Sequence, residues 1–572
     1  MRASVSAVPA PPAAGRMKRS GRSGQPGGSV TDRAGSGAAA RPQSRIRRGS
    51  GMGTSLGAWT LATDDTMIPA TQQSFRSMNQ TMRIETRAPD PAGLAALEAQ
   101  VARDLEMLNL PPRNWVPPLF RDRTAALDAV VVGAGMNGIA AAGALIFRGM
   151  PNIAVLEAAG PGQEGPWCTT ARMDTLRSPK TLPGPCFGIP SLTFRAWYVA
   201  SFGVEAWEGL YKIFNRTWQD YLGWVQRVLK LPLSHFSRVT RIAPADGLLR
   251  LTVEQPEGER HLLARHVVLA TGRAGAGGLD LPDFVDRALF PDLAALAPQP
   301  IDFEALRGRS VGIIGGGASA WDNAATALER GAARVDLYVR RAVLPQVNKG
   351  RGSTGPHYHN AYDALSDEER WKLAVYLHDE QAPVPHETVH RALRQPGFHV
   401  HLATPTRAAR RDGNQVAIDL GGGNPREERR DFLIVATGFS VDPLHVPELG
   451  DFAPHVRRWI DVIGDAPPEL RRREIETFPV LGPGFELQPR DAAAPPELEK
   501  IHLVNYGAHL SHGGIASDIP GVMVAGERVA DAVLRALFVA EFPAIRQALV
   551  EYDEPELLGT PFHVPKTGAS DG

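Results

Sequence analysis

Residues 126–158 read ALDAVVVGAGMNGIAAAGALIFRGMPNIAVLEA, from Ala126 to Ala158, and the rest of the chain is organised around them. Ala129 to Val132 is an apolar run of the kind that forms a buried strand. It breaks into Gly133-x-Gly135-x-x-Gly138, passes through an alanine-rich stretch to Arg148-Gly149, and resumes as a strand at Ile153–Leu156. Each glycine has a mechanical task. Gly133 makes the tight turn, Gly135 lets the backbone approach a pyrophosphate, and Gly138 lets the helix pack closely on the strand. The helix N-terminus offers unpaired N–H groups and the positive end of its dipole. Glu157, 24 positions after Gly133, stands where a carboxylate accepts both hydroxyls of an unphosphorylated ribose. Strand, turn, helix and acid in this order predict a dinucleotide site. Val130 to Phe147 hold one clearly polar residue, Asn137, which raises the question of a membrane span. The glycines fall at turn positions, however, and Gly149-Met150-Pro151 closes a helix too short to cross.

The pattern returns further on. Ser310–Ile314 reads as a strand, followed by Gly315-x-Gly317-x-Ser319-Ala320, a helix through Leu328, a stop at Gly331 and a strand over Val335–Val339. Here the strand ends in Arg340 and Arg341 in place of an acid. An acid selects a free 2′-hydroxyl, whereas an arginine pairs with a 2′-phosphate. The first site therefore predicts an FAD-type adenosine and the second NADPH. Two other strands end alike, at Ala270-Thr271-Gly272 and at Ala436-Thr437-Gly438. A last strand is expected over Asp518–Glu527, ending in Gly526-Glu527, with a helix over Arg528–Phe538 after it.

Between these motifs the reading is plainer. Asp90-Pro91 and the spacing of Leu94, Leu97, Val101, Leu105 and Leu108 predict an amphipathic helix over 91–109. Val239 to Val253, broken at Asp246-Gly247, predicts a hairpin. The aromatic segment 193–230 carries Trp218, Tyr221, Leu222, Val225 and Val228 at helical spacing, a stripe that belongs to a core rather than a substrate chamber. Gly421-Gly422-Gly423-Asn424 with the charged run Arg426 to Arg430 predicts an exposed turn. Ser366 to Glu369 opens a helix. His386-Glu387-Thr388-Val389-His390 matches the zinc-protease pattern letter for letter, but no third ligand follows, so solvent-facing histidines and no metal are expected.

At 572 residues the chain has room for two or three domains, and its formal net charge is zero. That balance is uneven: residues 1–51 hold ten Arg or Lys against one acid, Asp32. This Gly/Pro/Ser/Ala-rich head has no aromatic residue for stacking on bases and no apolar run for secretion. Residues 1–85 are therefore expected to be disordered, or to precede a true start at Met52, Met67, Met78 or Met82, and no nucleic-acid partner is expected. Two cysteines, Cys168 and Cys186, exclude a disulfide framework and form no Cys-x-x-Cys motif. A reducing, cytoplasmic setting is expected.

Two Gly-x-Gly turns, two Ala-Thr-Gly strands and the Gly526-Glu527 pair together resemble the two-dinucleotide-binding flavoproteins, and within them the class B flavin-dependent monooxygenases. Asp431 through Gly438-Phe439 is similar to the Asp-x-x-x-Leu-Ala-Thr-Gly-Tyr of the amine N-hydroxylases. Gly315-x-Gly317-x-Ser319 with Asp322 is similar to the family's NADP motif, and Gly526-Glu527 resembles the Gly-Asp that holds the flavin ribitol. The Phe-x-Gly-x-x-x-His fingerprint of Baeyer–Villiger and flavin-containing monooxygenases does not follow Phe290. The resemblance implies an α/β fold of two Rossmann-like domains, with an NADP domain (306–425) inserted between two parts of an FAD domain (86–305 and 426–550), and a tail over 551–572. It implies FAD and NADPH as cofactors, and molecular oxygen and a small organic molecule as substrates. A flavin C4a-hydroperoxide is the oxygenating species that it implies, and it is compatible with a homo-oligomer. By family position Trp167, Arg177, Ser178 and Lys180 would lie at the flavin face, and Asn505, Tyr506 and His512 would line the same chamber. A disulfide reductase shares the architecture but needs a redox pair beside the flavin, and Cys168 and Cys186 have 17 residues between them, with no such spacing. The remaining alternatives are an NAD(P)H-dependent flavin oxidoreductase or NADPH oxidase without oxygen insertion, the oxidase being one that no sequence feature separates from a monooxygenase, and a non-redox protein that uses the fold as a binding scaffold.

Overall fold

Thr124–Val132 (β1) is a central strand because apolar residues cover both its faces: five residues from Leu127 onward other than Leu127 itself are buried without a break, Asp128 among them. The computed structural model describes residues 88–464 and 466–564, and the basic N-terminal stretch lies outside the described residues. β1 pairs in parallel with Ile153–Leu156 (β2) on one side, and β2 with Leu233–Ser234 (β3). The hairpin of Arg238–Ala245 (β4) and Leu248–Gln255 (β5) forms as expected, with Asp246 and Gly247 both at positive φ. Gly258–Leu269 (β6) does two things. Its first half continues the antiparallel meander with β5, and its second half runs parallel to β1. Ile501–Leu503 joins β6 from the far end of the chain, and the short strand Leu119–Arg121 pairs antiparallel with the start of β1, completing an eight-stranded sheet among the described residues.

A second sheet is wholly parallel. It runs Phe398–His401, Arg334–Tyr338, Ser310–Ile314, Phe432–Val435 and Ala294–Leu296. In chain order these strands are β7 (Ala294–Leu296), β8 (Ser310–Ile314), β9 (Arg334–Tyr338), β10 (Phe398–His401) and, after three more, β14 (Phe432–Val435). The intervening three, β11 (Thr406–Asp412), β12 (Gln415–Leu420) and β13 (Arg426–Arg430), make a separate antiparallel sheet. The sheet thus takes strands from both sides of the 306–425 limits read from the sequence, because β14 pairs with the free edge of β8 and β7 pairs with β14 in turn. The charged run Arg426–Arg430 is a strand and not part of a turn. Its alternate residue Arg430 is buried on Asp336 at 2.8 Å, so charge there marks a polar interior contact rather than exposure.

Helices behave as their spacing dictates. Pro91–Met107 (α1) is capped by the Asp90 carboxylate, which accepts the Ala92 N–H at 3.0 Å. Met136–Phe147 (α2) follows the first glycine turn, and Asn215–Val228 (α3) carries the aromatic stripe. Trp218, Tyr221, Trp224 and Val225 are all buried in one apolar cluster with Phe194, Trp197 and Tyr198, so the aromatic segment is core. Ala318–Glu329 (α4) follows the second turn, and His386–Leu393 (α5) carries the zinc-like pattern.

One expectation fails. The strand expected to end at Gly526-Glu527 is instead the start of a 30-residue helix, Val522–Glu551 (α6). Val522, Ala525, Gly526, Val529, Ala530, Val533 and Leu537 are buried at a helical period, and a short apolar run cannot by itself distinguish a strand from a buried helix. The true last strand, Ile501–Leu503 (β15), lies upstream of that segment, and all three of its residues are buried.

Candidate functional site

The two glycine turns are built to one plan. Gly133 has φ +99, and a side chain there would put its Cβ 2.6 Å from the carbonyl oxygen of Ala270. Gly315 has φ +133, and its Cβ would lie 2.4 Å from the carbonyl oxygen of Ala436. Each first glycine therefore presses on the alanine of one Ala-Thr-Gly motif. The hydrogen bonds match: Ala270 N–H donates to Val132 and Ala436 N–H to Ile314, at 2.9 and 2.8 Å. Gly133 N–H donates to Leu156 at 2.7 Å, and Gly315 N–H to Tyr338 at 3.1 Å. The repeated Ala-Thr-Gly motifs are the back walls of the two turns.

The middle glycines leave space. Around Gly317 a Cβ would meet nothing within 4 Å, and around Gly135 only Gly165 Cα at 3.9 Å. Each is the N-cap of the following helix without a side-chain cap, so α2 and α4 both present their first N–H groups to open ground. An open helix N-terminus of this kind is a cradle that can receive a pyrophosphate. The third position separates the two turns. A Cβ on Gly138 would stand 1.9 Å from the carbonyl oxygen of Gly133, whereas Ala320 carries its methyl fully buried, so the second helix sits further from its turn.

Glu157 stands at the tip of β2, beside the first turn. Its carboxylate accepts the N–H of Ala134 and of Ala159, each at 2.8 Å. Two backbone bonds use half of a carboxylate's acceptor capacity and aim it along the turn. Asn137, the single polar residue of α2, donates to the carbonyl oxygens of Val504 and Ala516 at 3.1 and 2.7 Å. It thereby ties the first helix to the end of β15. At the second turn Ser319 and Gly317 are exposed, and Arg340 and Arg341 follow β9 with no ion pair among the described residues. Two unengaged cations beyond the strand tip suit a 2′-phosphate.

Other expected residues take different places. Arg177 donates to Asp322 of α4 at 2.9 Å, and Lys180 donates to the Trp207 carbonyl oxygen at 2.7 Å. Trp167 lies edge-on to the core ring of Trp218, with centroids 6.4 Å apart. Thr437 donates to the Asp280 carbonyl oxygen at 3.1 Å, and Gly438 beside it has φ +117. Gly526 packs on α2, where a Cβ would come within 2.8 Å of Ala140, and Glu527 is exposed on the same helix. Gly526 is thus a helix-crossing glycine rather than the end of a strand. Asn505 is fully buried and donates to Thr271 at 3.0 Å, joining the tips of β6 and β15. The Arg273 guanidinium covers the Tyr506 ring at 4.4 Å. His512 is buried, stacked on Phe485 with centroids 4.0 Å apart, and its pKa is pushed down to about 3 by burial and then by Arg528. Sequence reading missed Thr271 and Arg273 as partners of Asn505 and Tyr506; the repeated Ala-Thr-Gly was the available signal. The two cysteines stay apart as free thiols, Cys168 exposed and Cys186 buried. No helix among the described residues is long and apolar enough to cross a membrane.

Against known proteins, residues 130–389 match the family model described as pyridine nucleotide-disulphide oxidoreductase. Over 471 residues the chain is 38% identical to the FAD-dependent urate hydroxylase of Xanthomonas campestris pv. campestris, covering 82% of this chain and 98% of that one. In three dimensions it resembles the ornithine hydroxylase PvdA of Pseudomonas aeruginosa, with TM-score 0.58 and 20% identity over 72% of this chain and all of that one. It also resembles the ornithine N-hydroxylase of Kutzneria sp. 744, with TM-score 0.54 and 18% identity over 72% of this chain and 99% of that one. At such identities these two show a common fold.

Proposed function

The chain belongs to the class B flavin-dependent monooxygenases, and on that premise we propose that it hydroxylates a small nitrogen heterocycle of the urate kind, with FAD at the first glycine turn and NADPH at the second. The observation that carries the substrate class is the likeness to urate hydroxylase along 98% of that enzyme's length. The two turns carry the cofactor assignment, since both have the cradle that a dinucleotide needs and differ in the charge at the strand tip.

FAD, when bound, would supply the redox chemistry of a monooxygenase, with NADPH as the two-electron donor and molecular oxygen giving one atom to the substrate and one to water. The protein's own residues bind and orient. Gly133, Gly135 and Gly138 with the N-terminus of α2 receive one pyrophosphate, and Glu157 receives the adenosine ribose. Gly315, Gly317, Ser319 and Ala320 receive the second, and Arg340 or Arg341 the 2′-phosphate. The first turn lies beyond the carboxyl ends of the parallel strands β1, β6 and β15, the usual ligand side of an open α/β sheet. Asn505, Tyr506, Thr271 and Arg273 stand at those strand ends, and a guanidinium over an aromatic ring suits a planar, anionic heterocycle.

The test is anaerobic reduction of the purified flavoprotein by NADPH and by NADH, followed by urate in oxygenated buffer made with heavy oxygen. The expected result is faster reduction by NADPH and urate consumption with one heavy atom in the product per NADPH oxidised. Reduction and reoxidation to hydrogen peroxide at the same rate with and without urate or any related purine would replace this reading with an NADPH oxidase.

A further inference from the structure

The zinc-like pattern of α5 has a different occupation. Glu387 holds Lys212 at 2.8 Å and accepts from the Tyr211 hydroxyl at 3.1 Å. One residue on, the Thr388 hydroxyl donates to Asp322 at 3.0 Å, and the second oxygen of Asp322 receives Arg177 at 2.9 Å. Arg391, at the end of the same helix, joins Glu329 of α4 at 2.5 Å and Asp174 at 3.5 Å, and donates to the Arg172 carbonyl oxygen at 2.6 Å. The flanking His386 and His390 face solvent.

These contacts sort into two sides. Asp322, Glu329, Glu387, Thr388 and Arg391 belong to α4 and α5, which pack on each other and on the sheet behind the second glycine turn. Their partners belong to residues 172–177 and 211–215, two segments laced together by Leu176 N–H to Ile213 at 2.7 Å and Asn215 N–H to Asp174 at 3.1 Å. Leu176 and Ile213 of these segments are themselves buried in the aromatic core. The buried end of this network is Asp322, whose side chain is 4% exposed while that of Arg177 is 48% exposed. A carboxylate so far from water stands in an interior only if it is paired, and removing one partner costs more than an exposed ion pair contributes.

We propose that Asp322, gripped by Thr388 on one oxygen and Arg177 on the other, is a positioning residue for flavin reduction. It fixes α4, the helix that receives the second dinucleotide, against the half of the molecule that receives the first. The inference rests on the assignment of FAD and NADPH to the two turns. Asp322 touches neither cofactor in this role; it sets the orientation of the helix that does. Thr388 holds one carboxylate oxygen while the other meets Arg177, and the ion pairs of Glu387 and Arg391 flank that contact along α5.

The experiment uses the FAD-loaded full chain with Asp322→Asn, Arg177→Met and Thr388→Ser. Three quantities are read: the rate of flavin reduction at saturating NADPH, the NADP⁺ dissociation constant, and amide hydrogen exchange of residues 172–177 and 386–393. Asp322→Asn and Arg177→Met are expected to slow reduction tenfold or more, to change NADP⁺ binding less than threefold, and to speed exchange in both segments. Thr388→Ser keeps the hydroxyl and is expected to behave as wild type. Reduction rates within twofold of wild type in Arg177→Met, whose site is half exposed and tolerant, would overturn the proposal, as would unchanged exchange. A parallel loss of NADP⁺ binding and thermal stability with an unchanged limiting rate would assign Asp322 a structural role only and also overturn it. Failure of the cofactor reading looks different: the wild-type flavin would then not be reduced by either nicotinamide, while the exchange measurement would still report on the clasp.

Discussion

At the scale of single residues, the third positions of the two turns differ by one methyl group. Gly138 has no room for a Cβ, which would lie 1.9 Å from a backbone oxygen that cannot move without opening the turn, whereas Ala320 already carries one in the equivalent place. Gly138→Ala is therefore expected to lose FAD, giving less than a tenth of the wild-type flavin per chain. Ala320→Gly should bind both cofactors and lose no more than about 1 kcal/mol of stability, the ordinary cost of glycine in a helix. Flavin absorbance of the purified variants and their urea midpoints check both outcomes. A second single residue makes a pH prediction. His512 accepts from Arg528 at 3.0 Å through one ring nitrogen and its other ring nitrogen faces the Gly482 carbonyl at 3.0 Å, an arrangement that requires the neutral ring. With its pKa at about 3 when folded and an ordinary value near 6.5 when unfolded, the unfolded chain binds the extra proton between those limits. Its contribution is present above pH about 6.5 and is lost as pH falls from there. The stability advantage of wild type over His512→Asn should shrink by about 1.4 kcal/mol for each pH unit below 6. Taking the difference between the two proteins cancels the other titrating groups. An advantage that stays constant from pH 7 to 5 would mean that the ring is not held neutral.

At the scale of elements, the legible parts are those with local turn chemistry. Gly133, Gly315, Asp246-Gly247 and Asp90-Pro91 each dictate a backbone conformation that no distant contact can override, and each element they bound appears where the spacing puts it. The elements misread are those defined only by what packs on them. Val522–Val524 is apolar and short, and only the burial of Val529, Val533 and Leu537 further on reveals a helix. Arg426–Arg430 is charged, and only its pairing with β12 and the buried ion pair of Arg430 reveal a strand. The same division runs through the site. The turns at Gly133 and Gly315 lie where the spacing puts them, whereas the contact of Arg177 with Asp322 was not legible, because the two stand 145 positions apart on different elements. The packing of α6 on α2 is testable. Gly526 meets Ala140 with no space for a Cβ, so Gly526→Val should part the two helices and destabilise the protein by about 1–3 kcal/mol through overpacking. Since Asn137 on α2 is hydrogen-bonded to Val504 and Ala516 beside that contact, the variant should also hold FAD more weakly. A urea midpoint within error of wild type would show that the helices can slide past one another.

At the scale of the whole molecule, one structural unit has been used twice, and the two uses can be separated. Each unit comprises a first glycine, the Ala-Thr-Gly wall behind it and a helix that begins at an open N-cap. The first unit belongs to the eight-stranded sheet and the second to the five-stranded one, so damage to one turn has no direct route into the other sheet's hydrogen bonds. Gly315→Ala forces a non-glycine residue to φ +133 and drives a Cβ to 2.4 Å from the Ala436 oxygen. Strain of that kind costs on the order of 1–3 kcal/mol and should displace the turn locally. The flavin site is untouched, so the variant is expected to purify with wild-type FAD content and to be reduced normally by dithionite. Reduction by NADPH should fall at least a hundredfold. A ligand that binds only the folded state raises its stability by mass action, so NADP⁺ should raise the melting temperature of wild type and not of Gly315→Ala, while added FAD stabilises both. Gly133→Ala should show the reverse pattern, with FAD lost. If Gly315→Ala lost FAD as readily as NADPH reduction, the two turns would be one cooperative site, and the independence that the two sheets imply would be wrong.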